Sequence, residues 1–237
     1  MMRAIFRFAV SLLLLPLCAA VFLATLEVFR QASGTDALFS PPAYAFAAGY
    51  VAWVLTWFCF KAPVRAYVLG HELTHALWGL LFGARVGRMR VSENGGSVML
   101  SKSNVWISLA PYFFPFYTLL ATGIYLLAAQ FVDTPLLRLV FLFLVAYTLG
   151  FHMTFTFVTL RVRQPDIMEH GRLFSWVVIW LLNILEAGFW ITILTPVRLD
   201  LYLEELCQCT VASYTLAWHF FQTACNTARP WMMRFFD

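Results

Sequence analysis

The run Ala66-Tyr67-Val68-Leu69-Gly70-His71-Glu72-Leu73-Thr74-His75-Ala76-Leu77-Trp78-Gly79-Leu80-Leu81-Phe82 decides how the rest of the sequence is read. Apart from His71, Glu72 and His75 it is free of strongly polar groups, and it is close to the length that crosses a bilayer as a helix. Ionisable groups inside such a helix are costly and are rarely kept without a role. The surrounding composition supports a membrane reading. Apolar residues make up 62% of the 237-residue chain, charged residues 12%, and the mean hydropathy is +0.77. A soluble domain carries about 25% charged residues, so much of this surface must face hydrocarbon. The 24 Phe suit a lipid-facing surface, and the Trp and Tyr suit the headgroup level.

Working outward, five more apolar stretches read as membrane helices, because backbone groups in lipid must be satisfied within a helix. They are expected at about residues 4–29, 43–60, 105–131, 136–160 and 173–194, with the quoted run as the third of six. Arg3 and Arg7 ahead of the first stretch look like the start of a signal peptide. That stretch is too long for one, however, and Leu17 is bulky where cleavage before Cys18 needs a small residue, so a retained first helix is expected. The polar stretch Ser33-Gly34-Thr35-Asp36 with Pro41-Pro42 separates the first two spans, and Lys61-Ala62-Pro63-Val64-Arg65 separates the second and third. Residues 84–104 differ in kind: short alternating runs flank Asn94-Gly95-Gly96, a hairpin signal. Pro111 and Pro115 predict a kink or broken entry to the fourth span. From Pro196 onward apolar and polar residues alternate, which predicts a tail on the membrane face or packed on the bundle.

The expected fold is an all-α polytopic membrane protein of about six helices, with a small β-hairpin inserted after the third. It reads as one transmembrane domain over 1–237: two N-terminal helices in 1–60, a core in 61–195 with the hairpin at 84–104, and a membrane-associated C-terminal tail in 196–237. The bilayer is its expected partner and a multi-pass integral membrane location its expected setting. The net charge of +4 comes from Lys and Arg in the gaps between apolar runs, a pattern of anchoring rather than of nucleic-acid binding. Six spans divide the 16 Lys and Arg equally between the two sides. Setting the termini aside favours the side with Arg85, Arg88, Arg90, Lys102, Arg161, Arg163 and Arg172 as cytoplasmic. The five Cys residues show no CxxC spacing, so neither a disulfide framework nor a thiolate metal site is implied.

His71 and His75 are four residues apart on the predicted helix, so their imidazoles project from one face and can share a metal ion. Glu72 then lies beside the metal, where a carboxylate can take a proton from water and pass it to a leaving amine. Zn2+ is the expected cofactor, and Glu72 the expected catalytic residue. Two other readings stay open: a hydrogen-bonded histidine pair with Glu72 as counter-charge, and a polar track in an ion or small-solute transporter. Gly70, Gly79 and Gly83 are read as small residues that admit close neighbours.

The His71-Glu72-Leu73-Thr74-His75 helix, the exit Gly83-Ala84-Arg85-Val86 into a hairpin, and Ala110-Pro111 in the next span resemble the site-2 protease-like family of membrane-embedded zinc metallopeptidases. The resemblance covers roughly residues 65–190. It implies hydrolysis of peptide bonds in membrane or membrane-proximal protein substrates, with an Asp from a later helix completing the zinc site. The family's usual Leu-Asp-Gly is missing here. Gln164-Pro165-Asp166-Ile167 is the nearest equivalent, which makes Asp166 the expected third ligand, with a helix N-cap as its other reading. His152 on the fifth span and Glu186 on the sixth, with Asn183 three residues before it, are alternates. Glu169 and His170 are expected to be solvated. A simple map of the spans places Asp166 at the opposite membrane face from His71, so either a helix boundary shifts or a loop dips inward. A non-catalytic protein of the same fold is the remaining alternative.

Overall fold

The computed structural model describes residues 2–34 and 39–233, with side chains through Ala228; Thr35 and Asp36 of the first polar break lie outside the described residues. The elements in chain order are α1 (Met2–Ser33), α2 (Pro41–Cys59), α3 (Val64–Leu81), β1 (Val86–Ser92), β2 (Gly95–Leu100), α4 (Val105–Leu109) running into a 3-10 turn at Ala110–Tyr112, α5 (Phe116–Ala128), α6 (Pro135–Leu160), α7 (Pro165–His170), α8 (Arg172–Leu194) and α9 (Leu199–Met233). Among the described residues, four helices are long and apolar enough to cross a membrane: α1, α2, α6 and α8. A fifth span arises if the segment Val105–Tyr112 and α5 are counted together across their 79° bend. The motif-bearing α3 is not among them, because its polar residues lower its hydropathy. The protein is thus mostly helical, with four to five candidate spans where six were expected, and a two-stranded antiparallel hairpin.

The described chain forms two compact units, one of residues 36–179 and one of residues 1–35 with 180–237. In the first, α2 and α6 run parallel in close contact. Trp53 of α2 is buried at the centre of the seam, 5.2 Å from Phe151 and 5.5 Å from Tyr147 between ring centroids. Its indole N–H donates to Thr154 Oγ1 at 2.9 Å. Small residues make this approach possible: a Cβ on Gly49 would land on the Phe143 carbonyl, and one on Gly150 would strike the Trp53 ring.

The hairpin turns at Glu93-Asn94, pairing Ser92 with Gly95 and Val86 with Leu100, and a register irregularity lies between Val86 and Met89. It folds back along α3. Its tip is tied by Lys61 Nζ to Glu93 at 2.7 Å, and Lys61 holds the exposed Glu93 carboxyl below its ordinary range. Its base carries Leu100 onto Gly79.

The chain next retraces α3. The Ile107 carbonyl meets His75, Tyr112 packs against His71, and the Tyr117 hydroxyl donates to the Ala66 carbonyl at 2.6 Å. Pro111 and Pro115 flank the break at which α5 turns away, as the sequence led one to expect. α6 then runs antiparallel to α5, with Tyr125 stacked on Phe141 and Thr118 hydrogen-bonded to Thr148. It returns to the start of α3, where Thr159 donates to the Tyr67 hydroxyl at 3.0 Å.

In the second unit, the part of α8 from Trp180 lies parallel to α1, with Phe22 near Trp180 and the Thr25 hydroxyl donating to the Ile184 carbonyl at 3.3 Å. α9 runs antiparallel to α1. Tyr202 is their common anchor: its ring covers Gly188, its hydroxyl meets Thr25 Oγ1 at 3.1 Å, and it is buried with Ala24, Val28, Ala32 and Val197.

Candidate metal centre

One turn of helix separates His71 and His75, and in α3 their rings face the same cleft, with Nε2 atoms 3.2 Å apart. Each ring is oriented from behind. His75 Nδ1 lies 2.8 Å from the Ile107 carbonyl. A carbonyl only accepts, so this contact makes Nδ1 the protonated nitrogen and leaves the Nε2 lone pair for the cleft. His71 Nδ1 lies 3.3 Å from the Tyr67 hydroxyl, one turn earlier on α3.

Asp166 arrives on the first turn of α7. Its Oδ2 is 3.5 Å from His71 Nε2 and 3.4 Å from His75 Nε2, and the Tyr112 hydroxyl donates to the same oxygen at 3.2 Å. Burial would raise the Asp166 carboxyl, but His71 and His75, when protonated, donate to it and place positive charge beside it, which holds it well below the usual carboxylate range. Asp166 therefore sits at the second position of α7 rather than capping the long helix α8, which begins at Arg172.

The apparent conflict over depth has a simple origin. The hairpin and the broken segment carry the chain back along α3 before α5 leaves, so α6 ends beside Tyr67 and the following loop reaches the histidines.

Among the described residues, His71, His75 and Asp166 are the group whose donor atoms converge closely enough to hold one metal ion. A tetrahedral zinc with bonds of about 2.0–2.1 Å spaces its ligand atoms about 3.3–3.4 Å apart. The separations of 3.2, 3.4 and 3.5 Å match that spacing. Two imidazoles and one carboxylate are also a donor set that zinc accepts at sites with an open fourth position.

Glu72 is nearly inaccessible, at 6% exposure, and lies beneath β2 of the hairpin. Gly96 comes so close that a Cβ there would lie 2.5 Å from Val68 Cγ1 and 2.8 Å from Glu72 Oε1. The hairpin thus roofs the carboxylate. A cleft of about 510 Å³ opens beside it, lined by His71, Glu72, His75, Asp166 and, on the hairpin side, by Gly96 and Val98.

The other sequence candidates are not part of this group. His152 is buried and borders a small second cavity with Thr74, Pro111 and Phe114, on another side of α3 from Asp166. The Glu186 carboxylate belongs to the unit of α1 and α9, where it accepts from Trp190 Nε1 at 3.0 Å. His170, expected to be solvated, is only 3% exposed, whereas the neighbouring Glu169 side chain is 55% exposed and receives the Ser108 hydroxyl at 3.3 Å. Sequence reasoning did not single out Tyr67, Tyr112 or the Ile107 carbonyl. Tyr67 was discoverable, since it precedes His71 by four residues on the same helix face; Tyr112 and Ile107 reach the site only through the tertiary path of the broken segment.

The fold and site together define a helical membrane protein with a His-His-carboxylate cluster under a hairpin. A family model for Peptidase M50B-like proteins matches residues 42–164, more than half of the chain, and the chain belongs to that family. No curated protein and no solved structure gives a significant match.

Proposed function

We propose that this chain is a membrane-embedded zinc metallopeptidase that hydrolyses peptide bonds of membrane or membrane-proximal proteins. The observation that carries the reading is the triangle of His71 Nε2, His75 Nε2 and Asp166 Oδ2, with sides that suit one tetrahedral ion. These three residues would hold Zn2+, which when bound supplies Lewis acidity and a water of lowered pKa. Glu72 borders the same cleft without belonging to the donor triangle. It acts as general base toward the attacking water and then as general acid toward the leaving amine. Membership of a peptidase family supports the same assignment.

An extended substrate segment fits this arrangement by adding as a strand to the edge of β2 that lines the cleft. Backbone pairing then holds the scissile carbonyl near the donors whatever the side chains. Excising the hairpin should abolish cleavage while zinc stays bound; unchanged cleavage would refute strand addition.

The decisive variant for catalysis is Glu72→Gln. Purified in detergent and assayed on quenched fluorescent casein, it should keep its zinc and lose on the order of 10²–10⁴-fold in rate, the usual contribution of a positioned acid–base group. A non-catalytic protein of this fold would show no cleavage by the wild type, and a transporter would have no use for Glu72 in a hydrolysis assay.

A further inference from the structure

We infer that α9 crosses the membrane alongside α1, although its sequence lacks the apolar density by which a span is ordinarily recognised. α1 is itself a helix long and apolar enough to cross. α9 follows it in antiparallel register over most of its length. Tyr202 meets Thr25, and twelve residues further along α9 the Tyr214 hydroxyl donates to the Leu13 carbonyl at 2.8 Å, twelve residues back along α1. A helix held to a membrane span at two such separated levels lies at the same depths as that span.

The charges mark where the two helices leave hydrocarbon. At one end Glu27 and Arg30 of α1 gather with Asp200, Glu204 and Glu205 of α9, and Arg30 feels the charge of Glu205. At the other end stand Arg3 and Arg7 of α1 and, in the sequence, Arg229 of α9. Between these belts, Phe8 to Leu26 and Leu206 to Ala228 contain no Asp, Glu, Lys or Arg. At 1.5 Å per residue the interval from Arg7 to Glu27 is about 30 Å, and a bilayer core is about 30 Å thick.

The remaining side chains suit that setting. Val211, Leu216, Trp218, Phe220 and Phe221 are 57–76% exposed, an apolar surface that water would not favour. The Thr223 and Thr227 hydroxyls donate to the carbonyls of His219 and Thr223, one turn back, so their polarity is satisfied within the helix. Cys209, partly buried on the α1 side, and the alanines Ala24 and Ala32 opposite keep the contact small-residue and close. The occupant of the outer surface is lipid. Gln208, Thr215, His219 and Gln222 lower the hydropathy without adding the cost of a formal charge, which is why composition alone passes the helix over.

The consequence is that the Met2 end of α1 and the Met233 end of α9 emerge on one side, with the turn at Thr195–Arg198 on the other. Small epitope tags fused to the two ends of the full chain, with every native residue kept, should become protease-accessible together from the same side of sealed membrane vesicles. Tags exposed on opposite sides would overturn the inference, because an α9 lying on the surface would end where it starts. A cysteine-free version carrying Asp200→Cys, Thr215→Cys or Asn226→Cys supplies a second reading. A membrane-impermeant maleimide should label either position 200 or position 226 in sealed vesicles, both after permeabilisation, and position 215 in neither case. Labelling of all three from one side would contradict a crossing helix.

Discussion

Asp166 Oδ2 lies 3.5 Å from His71 Nε2 and 3.4 Å from His75 Nε2 and accepts a hydrogen bond from the Tyr112 hydroxyl, whose side chain is fully buried. A phenol in that position fixes the carboxylate against rotation, as outer hydrogen bonds commonly do for groups that hold metals. Tyr112→Phe removes one hydroxyl and leaves the ring, and with it the packing on His71. It should weaken zinc affinity about 10–100-fold, measured by competition with a chromophoric chelator, with little change in thermal unfolding of the metal-free protein. Unaltered affinity would show that Asp166 is not held through Tyr112. His71, Glu72 and His75 were legible in the sequence because their spacing encodes one helix face. Asp166 was reached only through the family resemblance, since nothing local distinguishes it from a helix cap. Tyr112 and Ile107 were not legible, because a tyrosine and a backbone carbonyl acquire meaning only when the chain folds back along α3.

The broken segment from Val105 to Ala128 decides more at the level of elements than its length suggests. Reading it as one straight span reverses the sidedness of everything that follows, and so placed Asp166 across the membrane from His71. Its two prolines announced the break, but not that the hairpin and the first half of the segment would together run back along α3. With that path, Lys61, Arg65, Arg161, Arg163 and Arg172 flank the end of the 36–179 unit where α2 and α6 finish and α3 starts, whereas Arg138 lies at the other end of α6. Arg161, Arg163 and Arg172 therefore no longer group with Arg85 and Lys102 as the straight-span map had them. Single cysteines replacing Lys61 and Arg163 should react with an impermeant maleimide from the same side, and one replacing Arg138 from the opposite side. Reaction of the Lys61 and Arg163 positions from opposite sides would restore the straight-span path. The hairpin itself was legible, because alternating residues around Asn94-Gly95-Gly96 carry their own signal. Its closeness to Glu72 was not: it depends on Gly96 meeting α3, a contact between distant parts of the chain.

For the molecule as a whole, composition announced a membrane protein, and the helix count followed only approximately. Hydropathy registers how apolar a helix is, not where it is held. It therefore admits α1 and α8 readily, while α3 is diluted by His71, Glu72 and His75 and α9 by uncharged polar groups. Residues 36–179 contain the whole donor triangle, and the family match at 42–164 falls inside that unit and includes His71 and His75, with Asp166 two residues beyond its end. The proposed centre is one cation held by nitrogen and oxygen donors within that unit. X-ray absorption at the zinc edge, recorded on the full chain purified from membranes, tests this most directly. It should show about one zinc per chain in a shell of light donors at about 2.0–2.1 Å with the outer scattering of two imidazoles, and the signal should vanish in His75→Ala. Sulfur at about 2.3 Å would assign the metal to cysteine instead, and a chain that carries no zinc, or keeps it without His75, would contradict the proposed centre.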